Sequence, residues 1–277
     1  MNRADFAVIL VQLRRWLLKT NKESTKSHCS INRRRDLCRE ILLLISRIVT
    51  LLQSAYCETA TLFPLLSRQT RHVAAGYAAS MLSAVDEFLN ASQLLSRDEV
   101  LTKPFPIPAS PGVYGWWFDR IPAGAPTQNC AARDGSMLLY VGISPKAPPM
   151  NGKPPSKATL QSRVRYHYTG NAEGSTLRLT LGVLLAQDLG IELRRVGSGT
   201  RRTFSAGEQA LSAWMADHAR VSFVEHPTPW TLEEQLISTL DLPLNLDQNH
   251  HHSFHAELGA QRRAAKTHAA TLAILPR

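Results

Sequence analysis

The chain has 277 residues, a hydrophobic fraction of 44% and a formal net charge of +10. That length holds one well-formed domain plus an appendage, and the composition excludes collagen-like and low-complexity disordered chains. The charge suits a polyanionic partner, but residues 1–40 hold ten Lys/Arg against four Asp/Glu, so most of the excess sits there and total charge says little about the remainder.

Cys29, Cys38, Cys57 and Cys130 form no CxxC pair, and their spacing fits neither a zinc ribbon nor a disulfide framework. Reduced thiols in a cytoplasmic protein are the simplest reading. The apolar run Glu40–Gln53 is too short for a membrane span and is interrupted by Arg47. Arg14 and Arg15 inside the first apolar run break the order of a signal peptide. No membrane association is expected.

Residues 1–20 read as a basic amphipathic helix, 36–66 and 73–96 as apolar helices, with no motif of their own. Met81 is an alternative start, so the expected helical N-terminal region, 1–100, is either an appendage or in part not native. The proline-rich Thr102–Gly112 cannot be helical and places a boundary between 81 and 108. Gly112–Phe118 (GVYGWWF) and Leu138–Ile143 (LLYVGI) are β-prone and read as strands, with an antiparallel pairing across a long intervening loop as one arrangement. A basic, proline-rich loop precedes a helix over 159–168, and a second helix follows over 177–189. Ile191–Val196 reads as a third strand, and Ser205–Glu208 as a capping box opening a helix to about Ala219. Arg220–His226 reads as a strand and Pro229–Leu240 as the last core helix. From Phe254 the chain reads as a basic, alanine-rich helical tail, 254–277. The core order β-β-α-α-β-α-β-α over 105–250 predicts an α/β (α+β) domain, a small mixed or antiparallel sheet flanked by helices.

Five side-chain types in this region suit phosphodiester chemistry. Tyr114 and Tyr140 stand on strands, and a phenol held rigidly donates to phosphate or relays a proton from water. The alternative for each is core packing with its hydroxyl satisfied locally. Period two puts Tyr114 on one face with Trp116 and Phe118. Arg163 and His167 are four residues apart on one side of their helix, beside the apolar stripe Leu160, Val164 and Tyr168. Arginine's planar fork matches two phosphate oxygens, and histidine moves protons. At about 100° per residue, Glu233 falls inside the arc of Leu232, Leu236, Ile237 and Leu240. A carboxylate there is costly unless paired or bound to metal, which makes Glu233 the candidate ligand for Mg²⁺ (or Mn²⁺). The alternative is a structural salt bridge, for instance to Arg163. Glu234 lies outside the arc and is three residues after Thr231, where a capping box competes with a start at Thr228–Pro229. Asn245 is either a site-ordering amide or a turn residue. Lys146, Lys153, Lys157, Arg165, Arg201 and Arg202 are candidate backbone contacts, against the alternative of a solvated charged face. His251 and His255 have ligand spacing but no CxxC or HExxH companion, so zinc is disfavoured; His218 and His226 read as a helix end and a strand end.

The constellation resembles the GIY-YIG nuclease superfamily. Gly112–Tyr114 (GVY) looks like its first signature triplet and Tyr140–Gly142 (YVG) like its second. Arg163 matches the family's helix arginine, His167 its occasional histidine one turn later, Glu233 its glutamate and Asn245 its terminal asparagine. The resemblance covers roughly 105–250, with enlarged intervals between Tyr114 and Tyr140 and between Gly142 and Arg163. It implies a divalent metal, nucleic acid as partner with DNA foremost, and hydrolytic strand cleavage. The whole-chain style is similar to GIY-YIG-domain proteins of high-GC bacteria. The expected function is therefore a metal-dependent DNA endonuclease; the alternative is an inactive domain that binds nucleic acid or serves a structural role. Oligomeric state is not legible.

Overall fold

The computed structural model describes residues 83–91, 93–149 and 156–276. The expectations for 1–82, Met81 among them, and for Lys153 lie outside the described residues. Residues Ala79–Arg277 group as one unit, and all that follows concerns it.

Strand β1 (Gly112–Phe118) is the centre of the domain, with all seven residues buried. A strand buried on both faces must be apolar throughout, which is why GVYGWWF shows no polar alternation. It pairs antiparallel with β3 (Ser136–Ser144) on one side and β6 (Ala219–Glu225) on the other. A two-residue β2 (Ala132–Arg133) extends the β3 side, giving the order β2-β3-β1-β6. The sheet is wholly antiparallel, and the long connection closes a hairpin as expected, with β2 as an addition.

Each face of β1 owns a core. Tyr114, Trp116 and Phe118 pack with Leu139, Val164, Tyr168, Leu177 and Leu211. Val113 and Trp117 pack with Val85, Phe88, Leu138, Leu232, Leu236 and Ile237. Fully burying such side chains contributes about 1.5–3 kcal/mol each. Gly115 permits the second core to close, since a Cβ there would lie 2.8 Å from the Phe88 ring.

The helices follow from their caps. After a five-residue turn, α1 (Arg97–Leu101), helix α2 (Leu160–Thr169) opens on a capping box, in which Ser162 N–H donates to Thr159 Oγ1 at 3.2 Å and Thr159 N–H to Ser162 Oγ at 2.9 Å. The helix expected over 177–189 is interrupted at Leu185, giving α3 (Thr176–Leu184) and α4 (Ala186–Leu189). The expected third strand forms, but outside the main sheet: β4 (Arg194–Val196) pairs with β5 (Arg201–Thr203), a short strand the sequence reading missed, and Val196 bridges to Leu275.

The expected capping box at Ser205 is absent. Helix α5 (Gly207–His218) starts without a side-chain cap. The Glu208 carboxylate is drawn instead to Arg178, whose Nη2 donates to Oε2 at 2.6 Å, and to the Ala172 amide at 2.8 Å. Its Oε1 also accepts from the Phe204 N–H at 3.1 Å, one residue before the expected cap, while the wholly buried guanidinium takes Oε2. Helix α6 (Pro229–Thr239) starts at Pro229, the proline-first alternative, with no box through Glu234. The C-terminal helix α7 (His255–Thr271) packs on α3 and β4 through Leu258 and Ala269. Among the described residues no helix is long and apolar enough to cross a membrane.

Candidate active site

The site lies at the end of β1 and β3 where α2, α6 and the loop after α6 meet. Tyr114 is buried, and its hydroxyl lies 2.8 Å from His167 Nε2. His167 Nδ1 is 2.7 Å from Ser175 Oγ, which also accepts from the Arg178 amide at 3.1 Å. Burial, followed by the Arg163 and Arg178 charges, holds the His167 imidazole well below its ordinary pKa. It is therefore neutral, with one nitrogen free to accept. Burial, then Tyr140, pushes the Tyr114 phenol up, against the pull of Arg163. Gly142 makes room for the Tyr114 side chain: a Cβ there would sit 2.6 Å from its hydroxyl oxygen.

Arg163 is half-buried, and its Nη1 donates to the Gly174 carbonyl at 2.8 Å. One anchor orients the guanidinium and leaves other donors for a ligand. Tyr140 is also half-buried, its hydroxyl 3.3 Å from Thr176 Oγ1. Burial raises its pKa, and it responds to Glu233, Arg163 and Arg262. Glu233 is pushed up to about 7 by burial and then by Asp247, with Lys146 and Gln248 opposing. The helical arc that placed Glu233 against the core holds, since Leu232, Leu236 and Ile237 are buried around it. The salt bridge to Arg163 weighed from sequence does not form.

Asn245 braces β3 rather than facing ligand. Its Oδ1 accepts from the Val141 amide and its Nδ2 donates to the Val141 carbonyl, both at 2.9 Å. Leu244 N–H donates to the Leu139 carbonyl at 3.0 Å. The segment thus serves as a partner for an edge that β2 leaves open, and it holds Tyr140, one residue before Val141, in place. Three residues on, Gln248 has a φ of 63°, a left-handed conformation unusual for a non-glycine residue.

The basic candidates scatter. Lys146 lies close enough to act on Glu233. Lys157 is exposed just before the α2 cap. Arg165, about 200° around α2 from Arg163, stacks on Phe105 with its guanidinium carbon 4.1 Å from the ring centroid. Arg201 is exposed on β5, and Arg202 neighbours Lys266. The histidine run is internally engaged: the His250 and His255 rings meet at 4.6 Å, and His252 Nε2 lies 2.7 Å from Asp241 Oδ1. His218 and His226 fall at the ends of α5 and β6 as read. Sequence reasoning missed Ser175, Asp247, Gln248 and Arg262. Asp247, two residues past Asn245, was findable as a second carboxylate on the same turn; Arg262 carried no local signal.

Among the described residues no three His, Cys, Asp or Glu side chains form a cluster able to hold a metal. Glu233, with Asp247 beside it, nevertheless fits a hard cation that keeps most of its waters, the usual mode for Mg²⁺ bound by one or two carboxylates and a substrate phosphate. A family model described as the GIY-YIG catalytic domain matches residues 112–265. The chain belongs to the GIY-YIG family. The match opens on the first residue of β1 and ends within α7, so it spans Tyr114, Tyr140, Arg163, His167, Glu233 and Asn245. GIY-YIG domains are nucleases, they act on nucleic acid and they generally require a divalent metal. No curated protein and no solved structure matches the chain.

Proposed function

We propose that this GIY-YIG domain is a Mg²⁺-dependent endonuclease that hydrolyses phosphodiester bonds in DNA, with Mn²⁺ able to substitute. The observation that carries the reading is convergence: Tyr114 and Tyr140, from two strands, each respond to both Arg163 and Glu233, from two helices. Side chains 23 to 119 residues apart along the sequence address one point.

Glu233 would hold the ion, with Asp247 adding negative charge; when bound, the metal neutralises charge on phosphate and leaving-group oxygens. Water attacks phosphorus in line, forming a P–O bond as the P–O bond to the leaving group breaks. A phenol raised by burial is a poor base by itself, and the buried dyad answers that difficulty. As Tyr114 Oη takes a proton from the attacking water, its own proton passes to His167 Nε2, 2.8 Å away, the phosphate's negative charge offsetting the Arg163 charge that keeps the free imidazole neutral. No free phenolate forms. Ser175 holds the other nitrogen, fixing the ring so that Nε2 faces Tyr114. Arg163 stabilises the growing charge on the non-bridging oxygens. Tyr140 positions the phosphate, and Asn245 keeps β3 in register.

The test compares wild type with Glu233→Ala and Arg163→Ala on single-stranded, nicked, branched and duplex DNA, with and without Mg²⁺. Cleavage by wild type alone, with all three folded by circular dichroism, supports the reading. Binding without metal-dependent cleavage of any substrate by wild type overturns it in favour of an inactive nucleic-acid-binding domain.

A further inference from the structure

Helix α7 carries Arg262, Arg263 and Lys266. At about 100° per residue, Arg262 falls about 40° from the buried Leu258, Lys266 about 80° and Arg263 about 140°. Arg262 is thus on the packed side of the helix, half-buried, while Arg263 and Lys266 are exposed. Among the described residues Arg262 makes no hydrogen bond and no ion pair; Tyr140 and Asp247 lie near enough to favour its charge. Burial lowers its pKa from the ordinary arginine value, with Tyr140 and Asp247 opposing. An arginine stripped of water without a fixed counterion is costly unless an anion arrives.

The cations continue past it. Lys266, one turn on, neighbours Arg262 and Arg202 as well as Glu173. Arg202 Nε is buried without a hydrogen-bond partner among the described residues. The β4–β5 hairpin that presents Arg202 is tied to the end of α7: Arg195 donates to the carbonyls of Ala269 and Leu272 at 3.2 and 2.9 Å. The two elements therefore offer their charges in a fixed relation.

We infer that Arg262, Lys266 and Arg202 form a phosphate track that receives the nucleic-acid strand leaving the scissile group, with Arg262 contacting the first phosphate beyond it. The inference rests on the nuclease reading and gives α7, outside the signature motifs, a substrate-binding role. A planar guanidinium beside Tyr140 suits a phosphodiester, and an exposed lysine one turn further suits a following phosphate as a point charge.

The experiment is fluorescence polarisation of a labelled single-stranded oligonucleotide with the full chain in Ca²⁺, over a salt series. The proteins are wild type, Arg262→Gln, Lys266→Gln and, on the same helix, Arg263→Gln. Arg262→Gln is expected to bind about tenfold more weakly, the loss of one charge-assisted hydrogen bond. Arg262→Gln and Lys266→Gln should each lower the slope of log K against log salt by roughly 0.7, while Arg263→Gln keeps the wild-type slope. Wild-type slopes for Arg262→Gln and Lys266→Gln, or an equal loss from Arg263→Gln, overturn the track and leave the nuclease reading standing. Wild type that binds no nucleic acid overturns both. Lys266 is exposed, so Lys266→Gln reads the track even if Arg262→Gln fails to fold.

Discussion

Replacing Asn245 isolates the brace on which the second tyrosine depends. β2 pairs with Ser136 and Met137, so among the described residues the outer edge of β3 at Val141 has no strand beside it. Its N–H and C=O are satisfied by the Asn245 amide alone, at 2.9 Å each, in a site where Asn245 is only 4% exposed. Asn245→Ala strands one donor and one acceptor, each costing about 1–3 kcal/mol when buried unpaired, so the expected loss is about 2–5 kcal/mol by urea denaturation. Asn245→Asp refines the test, because the introduced carboxyl can donate to the Val141 carbonyl only when protonated. Its folded pKa is therefore raised above the ordinary aspartate value of about 3.9. The stabilisation is fully present below that value and is lost as pH rises through the folded pKa. The gap between wild type and Asn245→Asp should be small near pH 4 and widen towards pH 7, with cleavage falling alongside it. A loss under about 0.5 kcal/mol for Asn245→Ala, the size of an ordinary surface change, or a gap independent of pH, would refute the brace.

Glu233 has a folded pKa of about 7, above its unfolded value, so the metal-free domain loses stability as pH rises from about 4.5 through 7. Glu233→Gln should therefore melt several degrees above wild type at pH 8 without metal; a lower melting temperature contradicts this. Mg²⁺ competes with that proton, so its affinity by calorimetry should fall about tenfold per pH unit below 7 and level off above. A flat profile from pH 5 to 8 would place the ion elsewhere. Glu208→Gln leaves the fully buried Arg178 without its carboxylate. It should cost about 3–5 kcal/mol and lower the melting temperature by roughly 10 °C, whereas a shift under about 2 °C would mean that the backbone carbonyls suffice for that guanidinium.

Much of the site was legible because its motifs are local. The helical arc around Glu233, the i,i+4 pair Arg163 and His167 and the glycine beside Tyr140 all depend on short-range periodicity, which the fold preserves. What the sequence hid was set by tertiary competition. Glu208 reads as the partner of Ser205, yet its carboxylate is divided between the Phe204 amide and the buried Arg178. The strand near 194 reads like the others, yet it joins β5 rather than the main sheet. Arg262 sits in an alanine-rich helix with nothing to mark it, and only packing brings it to Tyr140. Asn245 was open between a turn and a site amide; its two bonds to Val141 make it the residue that steadies the strand.

The most direct test is the single-turnover cleavage rate of Tyr114→Phe in Mg²⁺, measured beside its affinity for the same oligonucleotide. Loss of the hydroxyl that bridges the attacking water and His167 should slow cleavage by about 10²–10⁴-fold and leave affinity near that of wild type. A rate equal to wild type would show that the buried Tyr114–His167 pair takes no part in the chemistry.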